Sequence, residues 1–153
     1  MPQHWLMKSE PDEVSIDDLA NAPAQTLPWT GVRNFQARNF IRAMQPGDDV
    51  LFYHSSCPEP GIAGLARVAG ATEPDPTQFD SASPYFDAKS APDNPRWSQI
   101  DVSLVRKTRL LSLREMRQAP ELATMTILKP GNRLSVTPVS DEEWHALLAR
   151  LAG

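Results

Sequence analysis

Fifteen prolines spread through 153 residues set the first limit on what this chain can fold into. Proline lacks a backbone N–H and clashes with the preceding helical turn, so long helices have no room. Helices should be few and short, and connections kinked. At 41% apolar and 22% charged residues the composition is globular. A chain of this size buries about 68–70% of its unfolded surface, enough to fold without a metal or a disulfide. The expectation is one domain over residues 1–153.

Cys57 is the sole cysteine, so no internal disulfide can form, which suits a reducing compartment. The segment Met1–Lys8 lacks the basic start and apolar core of a signal peptide. No apolar run approaches the ~18 residues of a membrane span. These features predict a soluble, cytoplasmic protein without a membrane partner.

Hydrophobic periodicity places the elements. His4–Lys8 reads as an opening strand, and Ser15 with Asp18 as a capping-box start to a short helix. Ala37, Phe40, Ile41 and Met44 form one stripe of a helix over Asn34–Met44, with Arg38 and Arg42 on another face. Asp49–His54 and Gly61–Ala69 read as strands, with Gly64 at a bulge or close backbone approach. Gln99–Thr108 alternates as a strand, Ser112 and Glu115 form a second capping box, and Leu134–Thr137 is a late strand. Ser140 caps a last helix with Trp144, Leu147, Leu148 and Leu151 inward. Short strands with interspersed helices predict an α+β fold, a small, partly open barrel decorated by short helices. The irregular, proline- and aromatic-containing stretch Glu73–Arg96 reads as a functional lid.

A formal net charge of −4 argues against broad, salt-driven wrapping of nucleic acid. The charge is uneven, however. Residues 29–47 carry Arg33, Arg38 and Arg42 and no acid, and a second basic stretch runs from Arg106 to Arg117. Such segments can present one phosphate-attracting face on an acidic protein.

Catalytic signals are weak. His4, His54 and His145 have no ligand-like spacing, so neither a metal nor any other cofactor is expected. Cys57 near His54 sits in a turn-like run before Pro58, where an inert cysteine is the stronger reading than a nucleophile. The paired carboxylates Asp17-Asp18 and Glu142-Glu143 fit helix starts.

The informative stretch is Pro28-Trp29-Thr30-Gly31-Val32-Arg33-Asn34. A Trp in a turn beside an Arg-Asn helix start is what base stacking and phosphate pairing use. Sequence alone leaves Trp29 evenly between that role and plugging the barrel end. Lys8-Ser9-Glu10-Pro11 lies where the opening strand leaves the barrel, and Ser9 and Glu10 can address a base edge; a simple turn explains the run equally well. Tyr85 can complete an aromatic cage with Trp29, whereas Trp97 packs in the core.

Taken in order, these pieces resemble the EVE domain. They run from Trp5-Leu6-Met7-Lys8-Ser9-Glu10-Pro11 through Trp29-Thr30-Gly31-Val32-Arg33-Asn34-Phe35 and Leu51-Phe52-Tyr53-His54-Ser55. Tyr85-Phe86-Asp87-Ala88-Lys89-Ser90, Pro95-Arg96-Trp97 and Arg133-Leu134-Ser135-Val136 continue the series. The resemblance implies a PUA-like bent barrel related to YTH and ASCH domains. It implies a pocket for a modified base, chiefly modified cytosine in DNA, with RNA as the alternative target. Lys8-Ser9 matches the Lys-Ser pair ending the first YTH strand, Trp29 its first cage Trp, and Tyr85 is the second cage member by loop position. Glu10 departs from the YTH Asn. A carboxylate only accepts hydrogen bonds, which favours a base presenting an amino group, such as cytosine. The expected base pocket is therefore Lys8, Ser9, Glu10, Trp29, Asn34 and Tyr85, with Arg33, Arg38 and Arg42 on phosphate. The rival readings are an enzyme acting on a nucleobase or nucleotide, and a small-molecule or peptide module using the same pocket.

Overall fold

The structure, a computed structural model, describes residues 3–152. Met1, Pro2 and Gly153, the ends of the expected domain, lie outside the described residues. In chain order the elements are β1 (His4–Ser9), α1 (Ile16–Asn21), β2 (Thr26–Trp29), α2 (Phe35–Ala43), β3 (Asp49–His54) and β4 (Gly61–Val68). Then come β5 (Glu73–Pro74), β6 (Ser98–Ser112), α3 (Leu113–Arg117), β7 (Val136–Val139) and α4 (Asp141–Leu151). The prolines act as expected. Pro23, Pro76 and Pro120 each begin a single 3-10 turn. The longest described α-helix, α4, has 11 residues.

The strands make one open, mixed sheet in the order β2-β6-β4-β3-β1-β7, with β5 added to β6. Only β1 and β3 run parallel. Side chains on a strand alternate between faces, and here both faces are covered. Trp5, Met7, Val50 and Phe52 share one core with Ile16 and Leu19 of α1 and Ala37 and Ile41 of α2. Leu6, Leu51 and Tyr53 share the other with Met116 of α3 and Trp144, Leu147 and Leu151 of α4. Double coverage explains why β1 and β3 read as continuous apolar runs. Residue 64 sits at a register shift in both its pairings, with β3 and with β6. A Cβ on Gly64 would collide with Ile16 of α1, so glycine lets that helix lie down on the sheet.

Several expectations need correction. Trp29 lies not in a turn but at the end of β2, and Pro28 is tolerated there because β2 is an edge strand paired only to β6. The strand expected over Gln99–Thr108 continues to Ser112, and the late strand begins at Val136, not Leu134. Ser112 caps α3 through Glu115 N–H, but the Glu115 carboxylate turns instead to Arg109, so only half of that capping box forms. The boxes at Ser15 and Ser140 are complete. Leu148 is only half-buried on α4.

The stretch expected as a lid is fastened. Fully buried Gln78 donates to the carbonyls of Asp75 and Trp97, and its Oε1 accepts from Ser90 Oγ and the N–H groups of Arg96 and Trp97. A buried amide satisfied this fully anchors the loop, because opening it would leave donors and acceptors bare.

Candidate functional site

The end of β1, the strand β2, Phe52 of β3 and the loops that follow these strands line a cavity of about 550 Å³. Phe52 of β3 forms part of its floor, on the same sheet face as Trp5 and Met7. Trp29 at the end of β2 packs edge-on against Phe52, with ring centroids 5.3 Å apart at 73°. It is 8% exposed and also lines the cavity. Trp29 thus packs into the core through Phe52 and also borders the cavity. Trp5 and Trp97 donate their indole N–H to Asp48 and Asp87. Trp29 Nε1 has no protein acceptor among the described residues.

The structure brings all six residues expected in a base pocket to this cavity: Lys8, Ser9, Glu10, Trp29, Asn34 and Tyr85. Their donors and acceptors are partly committed. Ser9 Oγ donates to Val14 O at 2.7 Å, closing the turn after β1, so its remaining capacity is to accept. Asn34 Oδ1 caps α2 by accepting from Ala37 N–H at 3.0 Å, which leaves the amide NH₂. Lys8 is anchored through its backbone N–H to Ser135 O. Burial holds its ammonium below the ordinary lysine value, and no ion pair involves it among the described residues.

Tyr85 is held from two sides. Its hydroxyl donates to the Glu13 carboxylate at 2.6–2.7 Å. That hydrogen bond, then burial, then the charges of Glu13 and Glu10 push the phenol up to about 12, so it stays a donor at neutral pH. The ring lies on Gly31, whose φ is +81°. A Cβ at Gly31 would sit 2.8 Å from Tyr85 Cζ, so the turn after β2 requires glycine for both conformation and space.

Arg33, expected on phosphate, is a structural post. Its Nε and Nη2 donate to Tyr85 O at 3.0 and 2.8 Å, and Nη2 also to Thr77 Oγ1. Nη1 donates to Val32 O and to Asp75 Oδ2 at 3.1 Å. All five guanidinium N–H groups are thereby committed, and none remains for a phosphate. Asp75 is fully buried beneath it. Burial pushes its carboxyl up, but hydrogen bonds from Thr77, from Gly31 N–H and from Arg33 outweigh that and hold it below the ordinary value. Arg38 and Arg42 do not line the cavity; they extend from α2 toward residues 95–98.

Sequence reasoning missed Glu13, Ser55, Ser56, Arg133 and Ser135, which also line the cavity. Ser56 adopts φ +55°, a left-handed backbone that serine takes up at a cost. Phe52 was detectable, since strand parity puts it on the face of Trp5 and Met7. The others come from loops, where periodicity carries no signal. Elsewhere, His54 Nε2 accepts from Ile16 N–H at 3.1 Å, and burial holds the imidazole below its ordinary value. His54 and Cys57 do not line the cavity. Among the described residues no group of three His, Cys, Asp or Glu is placed to hold a metal, and no helix is long and apolar enough to cross a membrane.

Known proteins are similar to this chain in sequence and fold. Human thymocyte nuclear protein 1 is 42% identical over 166 residues, spanning 97% of this chain and 74% of its own. A crystal structure of a Pseudomonas putida protein is 50% identical with a TM-score of 0.92, covering 95% of this chain and 97% of that one. Human THYN1 protein in complex with 5-methylcytosine containing DNA is 43% identical with a TM-score of 0.91, covering 99% and 98%. An ASCH protein from Zymomonas mobilis, at 11% identity and a TM-score of 0.52, shares the fold alone. The fold is thus the PUA-like, partly open barrel of these proteins. The EVE domain model matches residues 3–150, and with relatives this similar over nearly the whole chain, the protein belongs to the EVE domain family.

Proposed function

We propose that the cavity receives one unpaired or flipped-out base of a nucleic acid, with 5-methylcytosine in DNA as the favoured ligand. The observation that carries this reading is the convergence of an indole wall, Trp29, with strand-end groups able to read a base edge, Lys8, Ser9 and Glu10. The donor inventory fits cytosine. Glu10 and Ser9 accept, as an exocyclic amino group needs, while Lys8 and the Asn34 amide donate, as ring nitrogen and carbonyl need. A volume of about 550 Å³ lies in the usual range for small-ligand sites. The DNA complex of human THYN1 supports the same ligand class. At the rim, Arg133 is exposed and offers a phosphate contact that Arg33 cannot.

The role is binding rather than catalysis. Base recognition needs no nucleophile, and the one imidazole near Cys57 already accepts a backbone N–H. DNA is favoured over RNA on the strength of the relative's ligand. The cytoplasmic location expected from sequence is retained as part of this proposal, although the human relative is named as a nuclear protein.

The test is an anisotropy titration against single- and double-stranded oligonucleotides with and without one 5-methylcytosine, and against matching RNA, at fixed salt. Tighter binding of the methylated DNA is expected. Equal affinity for methylated and unmethylated strands would sink the reading. Product formation from any of them would favour the enzyme alternative.

A further inference from the structure

The outer side of α2 holds positive charge that the protein leaves largely uncompensated. Arg38 Nη1 donates to Arg96 O at 3.0 Å, and its Nε and Nη2 donate to the neutral Asn39 Oδ1. Arg42 Nε donates to Ser98 Oγ at 2.9 Å and Nη2 to Pro95 O at 3.3 Å. Neither arginine has a carboxylate partner among the described residues. Arg96, in the same cluster, pairs with Asp87 at 3.2 Å, and that carboxylate also accepts Trp97 Nε1. Three guanidiniums thus gather around residues 95–98, and of them only Arg96 is ion-paired to a carboxylate among the described residues. Burial and then repulsion from Arg42 and Arg96 hold Arg38 below its ordinary value. The carbonyl and hydroxyl anchors fix the direction of the side chains, so their unclaimed N–H groups are preorganised for an anion.

Phe35 marks the same face. It is 47% exposed, and Arg38 and Arg96 lie over its ring at 4.7 and 5.3 Å. An exposed aromatic edge beside cations offers an apolar contact for a sugar or base next to a phosphate. The face is also continuous with the cavity. Tyr85 of the cavity wall lies against Arg33, Arg33 against Trp97, and Trp97 stacks on Phe35 at 4.7 Å.

We propose that Arg38, Arg42 and Arg96, with Phe35, form a second contact surface for the phosphodiester backbone flanking the base held in the cavity. It rests on the base-binding reading above. It supplies affinity without sequence information, while the cavity supplies discrimination. An acidic protein of formal charge −4 thereby holds nucleic acid through one local positive face.

The experiment titrates a short single-stranded DNA, with and without one 5-methylcytosine, across a salt series. The proteins are wild type, R42Q, R38Q/R42Q, R38K/R42K and Trp29→Ala. Each phosphate contact contributes about 0.7 to the slope of log affinity against log salt on single strands. R42Q should shallow the slope by about 0.7 and R38Q/R42Q by about 1.4, with the methylated-to-unmethylated ratio unchanged. R38K/R42K keeps the charge and should recover most of the slope, which separates charge from folding. Trp29→Ala should show the converse, a lost ratio on an intact slope. A slope unchanged in both R42Q and R38Q/R42Q overturns the proposal. The base reading fails separately: if wild type shows no methyl preference while the slope still falls in R38Q/R42Q, the backbone surface stands and the cavity assignment falls.

Discussion

Replacing Trp29 by Ala perturbs a residue that belongs to both the core and the cavity wall. Full truncation of a buried Trp costs about 3–5 kcal/mol, part of it for the void left behind. Here the void would merge with an existing open cavity of about 550 Å³, so that part is small. What remains is the lost burial on the side facing Phe52 and the edge-on ring contact at 5.3 Å. Burial of one face and an aromatic pair together come to about 2–3 kcal/mol. For a chain of this size that is a fall in Tm of about 4–12 °C. Binding loses one base stack, about 1–3 kcal/mol, or roughly 5- to 150-fold in Kd. Trp29→Phe keeps an aromatic face and should recover part of both. The assay pairs urea unfolding with titration of methylated DNA on wild type, Trp29→Ala and Trp29→Phe. A folded Trp29→Ala protein that binds and discriminates like wild type refutes the stacking role. A Trp29→Ala protein that cannot fold, alongside a Trp29→Phe protein that folds but does not bind, refutes the division of the ring into core side and ligand side.

Glu10→Ala should remove an acceptor for an amino group and reduce the preference for cytosine over thymine by about 1.5–3 kcal/mol, read by competition between matched oligonucleotides; an unchanged preference would exclude Glu10 from base reading. Gly31→Ala forces an L side chain into φ +81° and into the Tyr85 ring, so a loss of about 1–2 kcal/mol in stability is expected together with weakened binding. Asp75→Asn leaves the Arg33 post without its buried counter-charge and should cost about 3–5 kcal/mol at neutral pH. Because the folded Asp75 carboxyl lies below its ordinary value, its contribution is complete above about pH 4 and is lost as pH falls through the folded value. Urea unfolding between acid and neutral pH should therefore show the gap between wild type and Asp75→Asn closing only at the acid end, and a gap independent of pH would contradict the assignment.

Legibility from sequence followed the kind of force that fixes each residue. Trp5, Met7 and Phe52 face the core because strand parity and burial dictate it, and those signals are local and periodic. The caps at Ser15 and Ser140 were visible because a capping box closes within four residues. Ser112 shows the limit of such a pattern: its Glu115 has a stronger partner outside the cap in Arg109, itself bonded to Arg150 O, and a charged pair outweighs half a cap. Boundaries of β6 and β7 were misplaced for a related reason. Arg109–Ser112 extend β6 because β4 offers partners as far as Gly61, and pairing partners are not written in the strand's own sequence.

Arg33 shows why charge is the least legible property of the site. In sequence it stands beside Trp29 and Asn34 in an acid-free stretch, equivalent to Arg38 and Arg42. In the fold it is, among the described residues, the only one of the three with a carboxylate partner, because Asp75 arrives from 42 residues away and brings Thr77 and the Tyr85 carbonyl with it. The result is a division of labour among three arginines that composition presents as one cluster. Arg33 ties the Tyr85 carbonyl to Asp75, which in turn accepts from Gly31 N–H, so it links the two segments that meet at the cavity wall. Arg38 and Arg42 receive only neutral acceptors and keep their charge available to a partner. The same comparison gives a direct contrast: replacing Arg33 should act on stability and cavity shape with little change in salt dependence, whereas replacing Arg42 should act on salt dependence with little change in stability. Finding the two effects exchanged would show that the carboxylate partner, rather than its absence, marks the arginine that meets nucleic acid.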